Sequence, residues 1–181
     1  MRTDESEPRA SCPTSLRSHV TSRRAERSYA VNVLGLQRAS ASDTEALILM
    51  IEASHALERI SVPAVQLERA LSPLLLSDAL GGVWLLVDGD ATVGYVVLTW
   101  SYDLEWAGRE AFLTDLFIDA GARGRRLGTA AMPLIEAVAR AHGARALHLM
   151  VRHDNNVAQR LYANAGFTVP PRLFMTKPLG D

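Results

Sequence analysis

Cysteine and long apolar segments are both scarce in this sequence. The single cysteine, Cys12, cannot form a disulfide within the chain, and it predicts a reducing, cytoplasmic location. No apolar run reaches the roughly 20 residues of a membrane-spanning helix. Residues 1–30 contain no signal-peptide core. The sequence therefore predicts no internal disulfide and no membrane partner, and nothing in it predicts a metal site.

An excess of charge of either sign is also lacking. The 19 basic and 20 acidic side chains leave a net charge of −1, which argues against nucleic acid as the main partner. Of the 181 residues, 48% are hydrophobic, which is enough to build the core of one ordinary domain.

The first thirty residues differ in composition from the rest of the chain. They are rich in Ser, Arg and Glu and show little apolar periodicity, which predicts a disordered extension. Acidic side chains at Asp4, Glu5 and Glu7 disfavour a transit peptide as the alternative. We assign residues 31–181 to a single folded domain.

Two common phosphate-binding motifs are absent. The sequence has no G-x-x-x-x-G-K-[ST], which excludes a nucleoside-triphosphate P-loop. It has no G-x-G-x-x-G, which argues against a dinucleotide-binding Rossmann site.

A strand, a loop and a helix are predicted in succession over residues 112–142. Residues 112–118 are mostly apolar and β-prone, and residues 119–121 have turn composition. Apolar residues then recur at helical spacing, and Gly143 follows as a helix stop. The helical positions are Leu127, Ala131, Leu134, Val138 and Ala141.

The loop before this helix has the chemistry of an anion site. A helix N-terminus has unpaired N–H groups and a partial positive charge, and glycine permits close approach of a ligand. Arg123, Arg125 and Arg126 add charge, and no acidic residue occurs between Ala120 and Pro133. A phosphate or pyrophosphate is the expected ligand. An arginine-rich surface turn is the alternative that the loop alone leaves open.

This segment resembles the acetyl-CoA motif of the GNAT superfamily of N-acetyltransferases, a strand followed by [Q/R]-x-x-G-x-[G/A] and a helix. Arg123 occupies the first position of the motif and Gly128 the last. Arg126 stands where the family usually has its first glycine. If that position requires a positive φ, the non-glycine residue costs roughly 1–2 kcal/mol.

A second segment resembles a later element of the same superfamily, N-x-x-A-x-x-L-Y-x-x-x-G-F. It covers residues 154–167 and includes Asn156, Ala158, Leu161 and Tyr162 near the usual places, with Asp154 as the predicted N-cap of the helix. Over residues 31–177 the predicted order is β, α, α, β, β, β, α, β, α, β, the order of that superfamily. The predicted strands include residues 145–152 and 173–177, and the strand–helix–strand over residues 112–150 is predicted to be a parallel crossover. The resemblance implies an α/β fold: a single GNAT (acyl-CoA N-acyltransferase) domain whose mixed central sheet of about six to seven strands is flanked by about four helices. Within the superfamily, the sequence most resembles the diamine and polyamine acetyltransferases.

The resemblance also implies the residues that bind acetyl-CoA (coenzyme A). Backbone N–H groups of the loop would bind the pyrophosphate. The exposed backbone edge of the central strand would pair with the pantetheine arm, and Asn156 would contact the arm from the other side. The implied loop residues are Arg123, Gly124, Arg125, Arg126, Leu127, Gly128 and Thr129, and the implied strand residues are Leu116, Phe117 and Ile118.

Tyr162 is the predicted general acid. A tyrosine has an ordinary pKa near 10 and a free thiol one near 8.5, so the phenol stays protonated and can donate to the leaving thiolate. The alternative is a half-buried aromatic that only packs.

The sequence does not identify the general base. Where the polyamine subclass has a glutamate on the central strand, this chain has Thr114, and strand alternation is expected to turn Asp115 to the opposite face. Other candidates are Asp103, Glu105, Glu110 and His148.

Three functions follow from the resemblance. The first is acetyl transfer to a primary amine of a small molecule, by direct attack in a ternary complex. The second is the same transfer to a protein N-terminus or lysine, and the third is an acyl-CoA-binding sensor without turnover. Because members of the superfamily are often dimers, a homodimer is a further expectation.

Overall fold

The computed structural model describes residues 33–179 of the chain. The disordered extension predicted for residues 1–30 lies outside the described residues. Five strands and four helices follow one another, in the order β1 Leu34–Arg38, α1 Thr44–Glu58, α2 Ala64–Leu76, β2 Gly81–Asp88, β3 Ala91–Asp103, β4 Gly108–Ile118, α3 Leu127–Ala141, β5 Leu147–Leu149 and α4 Asn156–Asn164.

The five strands form one mixed sheet whose spatial order is their order in the chain. The first four strands pair antiparallel, and β5 pairs parallel with β4. Gly89, with φ 64°, makes the tight turn between β2 and β3 that the Asp-Gly pair predicts. The parallel pair requires a crossover connection, and α3 provides it, as predicted.

Each face of the sheet is covered by its own apolar layer. On one face, α3 and α4 pack against side chains that include Leu98 and Leu113. On the other face, α1 and α2 pack against side chains that include Tyr95, Val97 and Phe117. This two-sided burial explains why β2, β3 and β4 are nearly continuous apolar runs.

The α/β class, the mixed sheet and the four helices are confirmed, but the sheet has fewer strands than expected. The strand predicted over residues 145–152 is reduced to the three residues of β5. The strand predicted over residues 173–177 does not form, and its side chains are exposed, with Leu173 at 91% and Met175 at 87%. β-propensity alone does not make a strand, because a strand also requires a neighbouring edge and a buried face.

Candidate active site

β5 is much shorter than β4 and pairs with only part of it. Their pairing is limited to Ala111 with Leu147, Phe112 with His148 and Leu113 with Leu149. Beyond these pairs, residues 114–118 of β4 have no strand partner on that side within the described chain. The edge of β4 over residues 114–118 is therefore left unpaired on that side, and we call the region beside this edge the splay.

A β-bulge marks the start of the splay. Leu98 of β3 pairs with Leu113 and Val97 pairs with Asp115, so Thr114 is the extra residue on β4. The Thr114 hydroxyl donates to the Val97 carbonyl at 3.1 Å and is tied to the neighbouring strand.

The predicted anion loop lies between the end of β4 and the start of α3. Arg126 immediately precedes the helix with φ 59° and ψ 22°, in the left-handed region. The position therefore has the positive φ for which the superfamily uses glycine, and an arginine occupies it. Gly124, with φ 78°, is the second left-handed residue of the loop.

The loop presents a series of free backbone amides. Within residues 33–179, the N–H groups from Gly124 to Thr129 donate to no protein oxygen, and the first helical bond runs from the Ala130 N–H to the Arg126 carbonyl at 3.1 Å. The Arg123 N–H differs, because it donates to the Ala120 carbonyl at 3.4 Å. Six consecutive unpaired donors at a helix N-terminus have the geometry of an anion site.

The three loop arginines have different surroundings. The Arg123 Nε–H donates to the Ile118 carbonyl at 2.9 Å, and its guanidinium lies 5.7 Å from the centre of the Phe117 ring. Arg125 forms an ion pair with the buried Asp88. Only Arg126 has a side chain without a protein partner in the described part of the chain. The sequence grouped the three as one charge cluster, and the fold separates them.

Gly128 brings the first turn of α3 close to α4. A Cβ at this position would lie 3.0 Å from a methyl group of Leu161 and 3.6 Å from a methyl group of Ile118. Glycine therefore suits the close packing of the two helices at this position rather than a special backbone conformation, since its φ is not positive.

Helix α4 carries Tyr162 and is capped by Asn155, whose side-chain oxygen accepts from the Ala158 N–H at 3.1 Å. The N-cap predicted from the sequence, Asp154, is one residue too early. Its carboxylate instead accepts from the Arg152 Nε–H at 2.9 Å. Asn156 follows the cap and is exposed on the first turn of α4.

Tyr162 is half-buried against Phe167, with ring centres 5.7 Å apart in an edge-to-face arrangement. Burial, and then the nearby negative charges of Asp115 and Glu58, raise the pKa of Tyr162 to about 12. No hydrogen-bond partner for its hydroxyl is present in the described chain. The phenol is therefore protonated at neutral pH with its proton unused.

Asp115 lies on the α1 side of the sheet. Its carboxylate accepts from the Tyr95 hydroxyl at 2.5 Å and from the Ser54 hydroxyl at 3.4 Å. Burial raises the pKa of the Asp115 carboxyl. On the adjacent helix, His55 has a buried Nδ1 without a partner among the described residues.

The sequence missed Ser54 and Tyr95 as members of this polar group. Tyr95 occurs in an apolar run and Ser54 on a helix, and only the tertiary structure brings their hydroxyls to the carboxylate of Asp115. The sequence also set Asp115 aside by strand alternation, which assumes a regular strand. The bulge at Thr114 interrupts that regularity.

Each of the four remaining base candidates has a hydrogen-bond partner. Glu110 and His148 are joined by a 3.1 Å hydrogen bond. Glu105 binds Arg172 through two hydrogen bonds, and that guanidinium lowers the pKa of the Glu105 carboxyl. Asp103 accepts from the Glu105 backbone N–H at 2.8 Å.

Residues 33–179 contain neither a membrane-spanning helix nor a cluster of metal ligands. No helix in this part of the chain combines the length and the apolar character needed to cross a bilayer. No group of three or more His, Cys, Asp or Glu side chains in it is arranged to hold a metal ion.

Comparison with known proteins gives a consistent result. The Acetyltransferase (GNAT) family matches residues 49–167. The integron cassette protein HFX_CASS3, from the mobile metagenome of Cole Harbour Salt Marsh, is 28% identical with a TM-score of 0.71, covering 81% of this chain and 91% of that one. A putative acetyltransferase from Arthrobacter sp. FB24 is 26% identical with a TM-score of 0.68, covering 80% and 95% respectively.

A more distant structure shares the fold. The aminoglycoside N-acetyltransferase AAC(6')-Iy, in complex with CoA, is 16% identical with a TM-score of 0.65 and covers 82% of this chain and 97% of its own. No protein of curated function matches the sequence.

Proposed function

The chain belongs to the GNAT family of acetyltransferases and is an N-acetyltransferase, and on this premise we propose that it transfers the acetyl group of acetyl-CoA to a primary amine of a small molecule. The observation that carries this proposal is the run of unpaired amides from Gly124 to Thr129, which lies next to the unpaired edge of β4. The amides suit a pyrophosphate, and the edge suits an extended amide-containing arm.

The arginine side chains support the same assignment. Arg126 has a guanidinium free to contact phosphate oxygens, whereas Arg125 is engaged by Asp88. Asn156 is exposed at the start of α4. We assign these groups to cofactor binding, together with the backbone of Leu116, Phe117 and Ile118.

The reaction requires a proton donor for the departing thiolate. Acetyl-CoA supplies the thioester, and Tyr162 is the donor in this proposal. Its raised pKa of about 12 keeps the phenol protonated, and its hydroxyl has no competing partner in the described chain. Backbone N–H groups near Leu116 would stabilise the negative charge that develops on the carbonyl oxygen.

We place the acceptor amine on the α1 side of the splay. Asp115 contributes a half-buried carboxylate there, and the helix beside it contributes His55 and Glu58. A carboxylate without a salt-bridge partner favours a cationic ligand, because a buried charge is costly until it is paired. This arrangement supports a small ammonium compound as the acceptor. A cytoplasmic location and a homodimer stay predictions of the sequence.

The proposal is tested by thiol release from acetyl-CoA with four acceptors: spermidine, kanamycin, tyramine and a peptide with a free N-terminus. We expect release with at least one of the first three. Replacing Tyr162 with Phe should lower kcat about 100-fold and leave the KM for acetyl-CoA unchanged. Tyr102→Phe is the matched control, because Tyr102 is 74% exposed.

The alternative results would each support a different function or exclude Tyr162. Release with the peptide alone would identify a protein acetyltransferase. Binding of coenzyme A without release from any acceptor would identify an acyl-CoA sensor. Equal kcat values for Tyr162→Phe and wild type would remove Tyr162 from the chemistry.

A further inference from the structure

Glu110 is a buried carboxylate that the cofactor site does not use. It lies on β4 with 8% exposure. One carboxylate oxygen accepts from the Ser101 hydroxyl at 3.1 Å, and the other is 3.1 Å from His148 Nε2. Both oxygens are therefore held in place by neighbouring strands.

His148 presents its imidazole beside the splay. It pairs with Phe112, one residue before the last pair between β4 and β5, which is about 3.3 Å along the strand. Its neighbours Leu147 and Leu149 pack into the apolar layer on the α3 side. Strand alternation therefore places the imidazole on the opposite face, the same face as Asp115. The imidazole side chain is 37% exposed.

The hydrogen bond to Glu110 determines which nitrogen of His148 is basic. Because an ionised carboxylate only accepts hydrogen bonds, we assign the proton of this pair to Nε2. In the neutral imidazole, Nδ1 then carries the lone pair. The edge of the Trp106 ring lies against the imidazole, with centres 6.1 Å apart, and limits its rotation.

We propose that His148 Nδ1 accepts the proton of the acceptor ammonium and that Glu110 is the positioning residue for its imidazole, a role that rests on the function proposed above. The proton moves from the ammonium to Nδ1, directly or across one water molecule. The neutral amine forms the nitrogen–carbon bond, the carbon–sulfur bond breaks, and the sulfur takes a proton from Tyr162. The tyrosine recovers its proton from the new amide nitrogen, and His148 releases its proton to solvent.

The arrangement separates the proton acceptor from the proton donor. Tyr162 belongs to the layer on the α3 side of the sheet, whereas His148 and Glu110 face the α1 side. An acceptor that enters from the α1 side thus meets the base before it reaches the carbonyl carbon. This order suits a reactant that arrives as an ammonium ion, of which only about one part in a thousand is neutral at pH 7.

Three charged groups and one neutral hydroxyl lie around His148, each on a different segment. Glu110 on β4 lies 3.1 Å from the imidazole, and Glu105 in the β3–β4 loop carries a second negative charge nearby. Arg172, in the segment after α4, binds Glu105 and opposes its charge. Ser101 on β3 is neutral and bonds Glu110. The carboxylate of Glu110 is therefore the main electrostatic partner of the imidazole.

The kinetic test uses the panel amine with the highest thiol release and compares pH profiles of kcat/KM. His148→Gln should lower kcat by 100-fold or more and abolish the decline of activity at acidic pH. Added imidazole should restore part of the rate. Glu110→Gln should move the acidic decline to lower pH, because it removes the carboxylate that stabilises the imidazolium. His153→Gln, at an exposed histidine, is the matched control.

An activity-independent measurement separates this proposal from the proposed function. NMR titration of the His148 ring should show a lower midpoint in Glu110→Gln than in wild type. An unchanged midpoint would overturn the coupling, and full turnover by His148→Gln would overturn the role as base. If no amine releases thiol while the NMR shift is observed, the proposed function fails and the proton-acceptor role fails with it.

Discussion

At the scale of single residues, Arg126 combines two opposing effects. Its backbone has φ 59°, in a region that costs a non-glycine residue roughly 1–2 kcal/mol. Its side chain adds the only guanidinium of the loop that has no protein partner within the described residues. The strain is consistent with a residue retained for ligand contact at the expense of stability.

Substitutions at Arg126 should separate these two effects. Arg126→Gly and Arg126→Ala both remove the guanidinium, but only glycine relieves the positive φ. We expect the glycine variant to be about 1 kcal/mol more stable than the alanine variant in urea unfolding. Both variants should bind coenzyme A more weakly by the same factor. Equal stabilities would show that the left-handed conformation carries no cost here.

Asp115 should make the stability of the protein depend on pH. Burial raises its folded-state pKa above the ordinary value of 3.8, so the folded state binds more protons than the unfolded state above that pH. The contribution of Asp115 to the stability of the fold is therefore largest at low pH, and it is lost as the pH rises through the folded-state pKa.

The change that tests this is Asp115→Asn, which keeps an oxygen able to accept from Tyr95. The free energy of unfolding of Asp115→Asn minus that of wild type should increase from pH 4 towards neutrality, as measured by urea unfolding at each pH. Subtracting the wild-type value removes the contributions of the other titrating groups, which the two proteins share. A difference that is constant with pH would contradict the raised pKa.

At the scale of elements, the shortest helix carries the proposed acid. α4 has nine residues, and short helices depend on caps and on tertiary packing. Asn155 satisfies the Ala158 N–H, and the loss of an N-cap typically costs about 1 kcal/mol. The position of Tyr162 therefore depends on a side chain seven residues before it.

Two adjacent asparagines provide a matched pair for this element. Asn155→Ala should lower the free energy of unfolding by about 1 kcal/mol and speed amide exchange in α4. Asn156→Ala should change stability by less than about 0.5 kcal/mol, because the residue is exposed, and should raise the KM for acetyl-CoA. An unchanged KM would remove Asn156 from the cofactor site.

At the scale of the whole molecule, some large apolar side chains are buried in the core and others are exposed. Phe117 is 5% exposed in the layer under α1 and α2, whereas Phe174 is 70% exposed in the segment that follows α4. Beyond Phe167, the segment after α4 is joined to the β3–β4 loop by the Arg172–Glu105 pair, which is exposed and therefore contributes little to stability.

The two phenylalanines should respond very differently to truncation. Phe117→Ala should cost about 3–5 kcal/mol in urea unfolding, and Phe174→Ala less than about 0.5 kcal/mol. A large cost at Phe174 that grows with protein concentration would instead show the segment buried between copies, as in the homodimer that the sequence resemblance suggests.

The sequence alone determined the layout of the chain and of the anion loop. Apolar periodicity located the central strand and α3, and the Asp-Gly turn located the hairpin, because these signals are local. Spacing around Arg123 and Gly128 indicated the loop for the same reason. The cap at Asn155 was missed by one residue, since adjacent polar residues offer equivalent caps.

Only the tertiary structure determines which side chains come together at the splay. The bulge at Thr114 turns Asp115 towards Ser54, and parallel pairing brings His148 to Glu110, 38 residues away in the sequence. It also left residues 173–177 without a strand partner, despite their composition. Register and pairing depend on contacts between distant segments, which no local pattern encodes.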